Sequence, residues 1–309
     1  MDQPDSCTRT VTPAEADRLA AIVDELPEGA TLCLGAGRYE ARLMIARPIR
    51  LRGTGTTPAD VILDGSGGGP VLQLWADGGE IAITNLTITG GSAQPSANAG
   101  GIYAHGTAHV LVENVVLRGN GCDLAGAQAL LTDAAPVVLA RCRVEGNTGE
   151  RATALHADQI GAITLRDSLV AGNDGRRAVM ARGASHVTIE RSTVVVTGRD
   201  ATAIDLGGNA TQAPEVTITD SILVGGRAIA NGPVPGKARA SRSVIDGSAN
   251  GLDDGGQNRA QPMRFDPEGS YIPAANSPAI GLSHNATRLL DLAGHERKAT
   301  GAAGAFEGP

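Results

Sequence analysis

The chain has 309 residues, enough for one large domain or two small ones, and carries 26 Lys and Arg against 33 Asp and Glu, a net charge of −7. It has no basic run, which argues against nucleic acid and anionic membranes as partners, because phosphate contacts need clustered Lys and Arg. No apolar stretch approaches membrane-spanning length, and with 42 Gly but only 2% aromatics the core must be built from Val, Ile, Leu and Ala in thin layers.

In chain order, Met1-Asp2-Gln3-Pro4-Asp5 lacks the chemistry of an export leader. The chain is therefore either cytoplasmic or a mature exported protein. Cys7 and Cys33 flank one short helix and suit a bridge that pins an N-terminal cap, which favours an extracellular or periplasmic location. Cys122 and Cys142 can be paired or free. No C-x-x-C pair is present, so a zinc site is not expected. Thr12-Pro13-Ala14-Glu15 reads as a helix start with a capping box, and Leu19, Ile22, Val23 and Leu26 recur at helical spacing. A helix over residues 13–26, within a cap of residues 1–30, would cover the open end of whatever follows.

Residues 30–53 alternate apolar and polar and read as a first coil. Seven segments then repeat one pattern: 81–91, 110–120, 137–147, 163–173, 187–198, 216–226 and the weaker 237–247. Aligned at the fifth position (the sixth in 237–247) they give Asn85, Asn114, Arg141, Asp167, Arg191, Asp220 and Arg242, with steps of 29, 27, 26, 24, 29 and 22 residues. Short strands and Gly/Asn turns at that period predict an all-β parallel solenoid over 31–247, followed by an irregular segment at 248–309. Period-2 alternation turns Val110/Val112, Val137/Leu139, Ile163/Leu165, Val187/Ile189 and Val216/Ile218 inward. In the next strand Cys142, Ser168, Ser192 and Ser221 form a small-residue ladder. Asn120, Asn147 and Asn173 each follow a Gly, which suits left-handed turns. Charges alternate in sign along Arg141, Asp167, Arg191, Asp220 and Arg242. This pattern predicts an exposed salt-bridge ladder that fixes register, each pair contributing about 0–1 kcal/mol.

These repeats resemble the right-handed parallel β-helix of the pectate-lyase-like superfamily. The tail segments SPAIGL (277–282), DLAGHERK (291–298) and GAAGAFE (301–307) are similar to the ending of many bacterial secreted β-helix proteins. The resemblance covers roughly residues 30–307. It implies a single right-handed β-helix of about seven to eight coils with three strands each. It does not fix a function, because that fold hosts lyases, hydrolases, epimerases, adhesins and inert scaffolds. The signature motifs of the pectate lyases, polygalacturonases and alginate epimerases are absent, so no catalytic residue carries over.

The resemblance points to the first strand of each coil as the place for chemistry. Taking Leu74, Ile102, Leu130, Leu155, Val179, Ile204 and Ile229 as inward, the outward neighbours are Trp75, Tyr103, Leu131, His156, Met180, Asp205 and Ala230. Two residues further on lie Asp77, His105, Asp133, Asp158, Arg182 and Gly207. Trp75 and Tyr103 offer a stacking surface for a sugar ring, with Asp77 and Asp205 as further substrate contacts. Asp133 and Asp158 on neighbouring coils, with Tyr103, His105, His156 and Arg182, form the candidate catalytic group. Like charges that close split their pKa values, so one carboxyl can serve as acid and the other as base or nucleophile. The same pair can instead hold Ca²⁺, the one cofactor the residues suggest. The loops 91–100 and 121–128 would wall the groove. The expected function is binding, and cleavage by a lyase or hydrolase route, of a polysaccharide. The alternatives are a non-catalytic adhesive β-helix and a structural scaffold; poverty in aromatics favours these, and convergence on one face favours the enzyme.

Overall fold

The structure, a computed structural model, describes residues 6–93, 99–121, 126–149, 153–208, 211–267, 269–284 and 289–308. Parallel strands stack into a solenoid of about nine turns. The expected seven to eight turns fall short because the coil through Arg50–Gly53 and Val61–Asp64 was not read as a separate turn, although its last strand, Leu72–Leu74, was expected. Its strands are separated by a turn of 3-10 helix at Pro58–Asp60 and by the Gly-rich stretch 65–70, which hide the repeat spacing.

Each regular coil contributes to three parallel sheets. The first-strand sheet includes Leu43–Ile45, Leu72–Leu74, Ile102–Ala104, Ala127–Thr132, Thr153–Ala157, Arg177–Arg182 and Thr202–Gly207. The second-strand sheet carries the predicted aliphatic columns in register: Val112, Leu139, Leu165, Ile189 and Ile218 pair successively and are fully buried. Fully burying one aliphatic side chain contributes roughly 1.5–3 kcal/mol, so the repetition of such columns stabilises the stack.

The residues aligned at the bend all adopt left-handed backbone, from φ 55 at Asn85 to φ 47 at Arg242. This turns the chain between the second and third strands. The next residue then points inward, and the small side chains there do form a ladder. The backbone N–H of Cys142 donates to Ser168 Oγ at 3.0 Å, that of Ser168 to Ser192 Oγ at 3.1 Å, and that of Ser192 to Ser221 Oγ at 3.1 Å. The bend thus satisfies buried amides that no strand partner reaches. At the next corner Gly119, Gly146 and Gly172 take the left-handed conformation. The following asparagines turn inward and bond one another, Asn147 Nδ2 donating to Asn173 Oδ1 at 2.8 Å.

The charged column departs from the predicted continuous ladder. It resolves into two separate pairs, Arg191 with Asp167 at 3.0 Å and Arg242 with Asp220 at 2.8 Å, while Arg141 turns to Glu113 at 2.8 Å. The two aspartates are buried rather than exposed. The reason is the C-terminal segment, which folds back along the outer side of the third strands. Buried Arg297 donates from Nε to Asp167 at 3.1 Å and from Nη2 to the carbonyls of Gly304 and Ala305. Asp291 caps the turn before it, accepting from the N–H groups of Ala293 and His295. Phe306 packs with Leu169, Ala171 and Val195 and lies 5.4 Å beneath the Arg143 guanidinium.

At the other end Cys7 and Cys33 form a disulfide. Cys142 is free and buried; Cys122 lies outside the described residues. The predicted helix is shorter than expected: 3-10 helix over Pro13–Arg18, then α-helix over Leu19–Glu25. The Thr12/Glu15 capping box is present, and Leu19, Ile22 and Val23 are buried with the first coils. Among the described residues no helix is long and apolar enough to cross a membrane.

Candidate functional site on the first-strand face

The first-strand sheet sets which side chains share its outer face. Leu130 pairs with Ile102 and Leu155, Leu155 with Val179, and Val179 with Ile204, as the aliphatic alignment predicts. Tyr103, Leu131, His156, Met180 and Asp205 therefore form one outward column. His105, Asp133, Asp158 and Arg182 form the next.

The alignment is two residues out at one coil. Ile102 pairs with Leu72, not Leu74, so Gln73 stands opposite Tyr103 and Trp75 opposite His105. Leu72 and Leu74 both point inward and both suit the core, so aliphatic identity alone does not choose between them. The shift brings Trp75 onto His105, with ring centroids 4.4 Å apart, and leaves it edge-on to Tyr103 at 6.0 Å. Asp77 consequently falls beside Thr107, whose Oγ1 donates to its Oδ1 at 3.4 Å.

Tyr103, His105 and Asp133 form one hydrogen-bonded group. The Tyr103 hydroxyl donates to Asp133 Oδ2 at 3.0 Å, and His105 Nδ1 lies 2.8 Å from the same oxygen. With Nδ1 as donor, the His105 ring presents Nε2 as an acceptor. The Asp133 side chain is only 10% exposed and that of His105 43% exposed, so the carboxylate is the buried anchor and the imidazole the accessible end. The Tyr103 phenol is pushed up to about 12, first by burial and then by its hydrogen bond to Asp133, so it stays protonated and serves as a donor. Ala99 and Ala127, at the ends of the two predicted wall loops, pack with Tyr103 and Leu131. The loop interiors 94–98 and 122–125 lie outside the described residues.

Asp158 lies one coil beyond Asp133, in register with it, and accepts a hydrogen bond from the Gln159 N–H at 2.8 Å. Asp205 is engaged by two arginines: Arg177 Nε at 2.5 Å and Arg182 Nη2 at 2.9 Å both reach its Oδ2. Arg182 also donates to the Asp205 and Ala181 carbonyls. Arg182 thus turns toward Asp205 rather than toward the carboxyl pair. Arg177, at the start of its strand, is a residue the alternation gave no reason to single out.

His156 is buried between Leu131 and Met180, and among the described residues neither ring nitrogen has a hydrogen-bond partner. Its pKa is pushed down to about 4, chiefly because burial penalises the charged form; Asp158 opposes this and Arg182 adds to it. The unfolded chain takes up this proton near pH 6.5, before the folded chain does. Stability should therefore be unaffected above pH 6.5 and fall as the pH drops to about 4, by on the order of 3 kcal/mol. The melting temperature of His156→Leu should decline less over that interval than that of the parent chain. An equal decline would show that another group carries the effect.

A groove of about 830 Å³ opens beside this face, lined by Glu40, Arg42, Asp64, Gln73 and Trp75 with the 65–70 segment as a wall. The sequence reading missed it because its walls come from two coils that lack the repeat pattern. A second hollow of about 410 Å³ lies beside Asp158 and Arg182. Among the described residues no three His, Cys, Asp or Glu side chains converge to hold a metal ion. Asp133 gives its oxygens to Tyr103 and His105, a donor set poorly suited to Ca²⁺.

The family described as right handed beta helix region matches residues 71–248, more than half of the sequence. The chain belongs to the right-handed β-helix family. Among solved structures this β-helix is similar to the crystal structure of pectate lyase Pel9A, at 14% identity and a TM-score of 0.60, over 99% of this chain and 98% of that one. It is also similar to the pectin methylesterase PemA from Erwinia chrysanthemi, at 11% identity and a TM-score of 0.41, over 81% of each chain. A third is the alginate lyase from Paenibacillus sp. str. FPU-7, at 14% identity and a TM-score of 0.41, over 82% of this chain and 99% of that one. At 14% identity the likeness to pectate lyase Pel9A is one of fold. No curated protein sequence matches the chain.

Proposed function

We propose that this β-helix is an exported protein that binds an oligosaccharide segment of a polysaccharide on its first-strand face and acts on it through His105. The observation that carries the reading is the joining of an exposed aromatic surface to an anchored base. Trp75, 40% exposed, lies against His105, and His105 is held through Nδ1 by buried Asp133. A sugar ring stacked on the indole lies within reach of His105 Nε2. Asp133 fixes the tautomer and stabilises the imidazolium after proton transfer. The Tyr103 hydroxyl donates to the same carboxylate oxygen and helps to hold it in place. The step available to such a group is removal of a proton from a bound sugar or from a water that attacks it, the imidazolium then giving that proton to the departing glycosidic oxygen as its C–O bond breaks, which fits a lyase or a hydrolase. The Cys7–Cys33 bridge supports export, since disulfides persist in oxidising compartments.

The test is affinity electrophoresis over a polysaccharide panel, followed by assays for reducing ends and unsaturated products. Trp75→Ala should weaken retention by the bound glycan roughly tenfold or more, because an aromatic contact of this kind is worth about 0.5–1.5 kcal/mol beyond its buried area. Retention unchanged by the substitution would place binding elsewhere.

A further inference from the structure

Five large apolar side chains are exposed among the described residues: Met44, Trp75, Ile160, Val234 and Leu290. Leu290 belongs to the tail, and the other four follow the first-strand face. Met44 pairs with Gln73, two residues before Trp75. Ile160 stands in the turn after Asp158, closed by the Gly161 N–H donating to the Asp158 carbonyl at 2.8 Å. The Val234 carbonyl accepts from the Gly208 N–H at 2.8 Å, just past the strand end at Gly207. Exposed apolar residues scattered singly need no explanation, but four along one face mark a contact surface. Ile160 and Val234 border the hollow of about 410 Å³, which is floored by Gly183, Gly207 and Gly208. The hollow exists because that floor carries no side chains. A Cβ at Gly208 would come within 2.5 Å of the Gln212 carbonyl oxygen and 3.0 Å of Val234, and one at Gly207 within 3.1 Å of the Arg182 guanidinium. Asp158, Gln159 and Gln212 line it with hydrogen-bonding groups. Apolar walls with a few polar groups suit a sugar, which presents C–H faces and hydroxyls.

The hollow runs from the coil of Asp158 to that of Gly207, two and four coils beyond that of His105 in register. At the spacing of neighbouring strands this is about 10–19 Å from the base. Trp75 lies one coil from His105 in the other direction. Resting on the proposed glycan-binding role, we infer that this hollow is a distal binding site for the same polysaccharide, bordered by Ile160 and Val234, and that the protein thereby selects long chains over short ones. A chain that fills both contacts makes the second as an intramolecular event, which raises affinity without any change at His105. A sugar unit of an extended polysaccharide advances by roughly one coil spacing, so two units cover Trp75 and His105 only, whereas eight reach past Gly207.

Isothermal titration calorimetry of the wild-type chain with two-unit and eight-unit oligomers of a β-glucan, a galactan, polygalacturonate and alginate tests the inference directly. In the series that binds, the eight-unit oligomer should bind at least about tenfold more tightly than the two-unit one. Equal affinities for the two lengths overturn the inference while leaving the glycan-binding role intact. No binding of any oligomer overturns that role and the inference with it. A second arm uses the double variant Ile160→Ser/Val234→Ser, which alters exposed side chains outside the His105 group. It should lose about fivefold or more in affinity for the eight-unit oligomer, because the apolar surface that the sugar covers is removed. Its affinity for the two-unit oligomer should stay within about twofold of the parent, since that ligand does not reach the hollow. A variant that loses nothing on the longer oligomer, or loses equally on both, overturns the assignment of the hollow. The wild-type comparison of lengths needs no variant.

Discussion

Replacing Asp167 with Ala should destabilise the chain by about 3–5 kcal/mol, a large share of the 5–15 kcal/mol typical of a folded domain. The carboxylate is buried and is shared by Arg191 and Arg297, whose side chains are 16% and 0% exposed. Removing it leaves the fully buried Arg297 guanidinium with carbonyl partners and only the more distant Glu307 carboxylate, at 3.9 Å. Exposed ion pairs are worth far less, so the burial supplied by the tail is what makes this site costly to disturb. The loss should appear as a lower urea midpoint and as faster proteolysis within residues 289–308. The double variant Asp167→Ala/Arg297→Met should recover part of it, because the most deeply buried charge is removed with its partner, although Arg191 and Glu307 each lose one. A single variant within about 0.5 kcal/mol of the parent would show that the tail does not seal this pair.

That contrast also shows where the sequence was informative. The solenoid was legible because each coil repeats the same local solution: a left-handed bend, a small inward residue, and aliphatics at period two. Asp167 and Asp220 were recognised as members of a structural column, but their burial was not. It depends on the tail, which for Asp167 lies 130 residues downstream, and no local pattern reports that Arg297 lies against Asp167. The tail motif itself was legible, and its parts now have physical roles: Asp291 caps the turn, Gly294 supplies a left-handed residue at φ 86, and Arg297 reaches the buried carboxylate.

The first-strand face followed the same division. The register of Tyr103, Leu131, His156 and Met180 came from inward aliphatics alone. Trp75 was misplaced by one pleat because Leu72 and Leu74 are equally good core residues. Side-chain direction was beyond the pattern altogether. Nothing in the spacing indicates that Arg182 turns to Asp205, or that Asp133 is buried beneath Tyr103 and His105.

The second large effect concerns the proposed base. Asp133→Asn should lower turnover of the glycan by about 10²–10⁴-fold, the range a general acid or base contributes. The carboxylate accepts from both Tyr103 and His105; an amide has one acceptor oxygen and would set its N–H₂ against one of those donors. The imidazole then loses its fixed tautomer, whereas ground-state contacts to Trp75 are untouched. The deficit should therefore fall on kcat with little change in KM. His105→Ala should produce a loss of similar size, and the two together no more than either alone, because they act as one unit. A deficit confined to KM would assign Asp133 to binding.

The central claim is that glycan sits on the first-strand face, against Trp75 and His105. A crystal structure of the chain with an oligosaccharide of the retained polymer tests it most directly. The account predicts a sugar ring over the Trp75 indole, with His105 Nε2 within hydrogen-bond distance of the next unit and the chain running toward Asp158. A sugar bound instead on the second-strand face, or in a hollow of about 490 Å³ lined by Arg118, Glu145 and Tyr271, would contradict it.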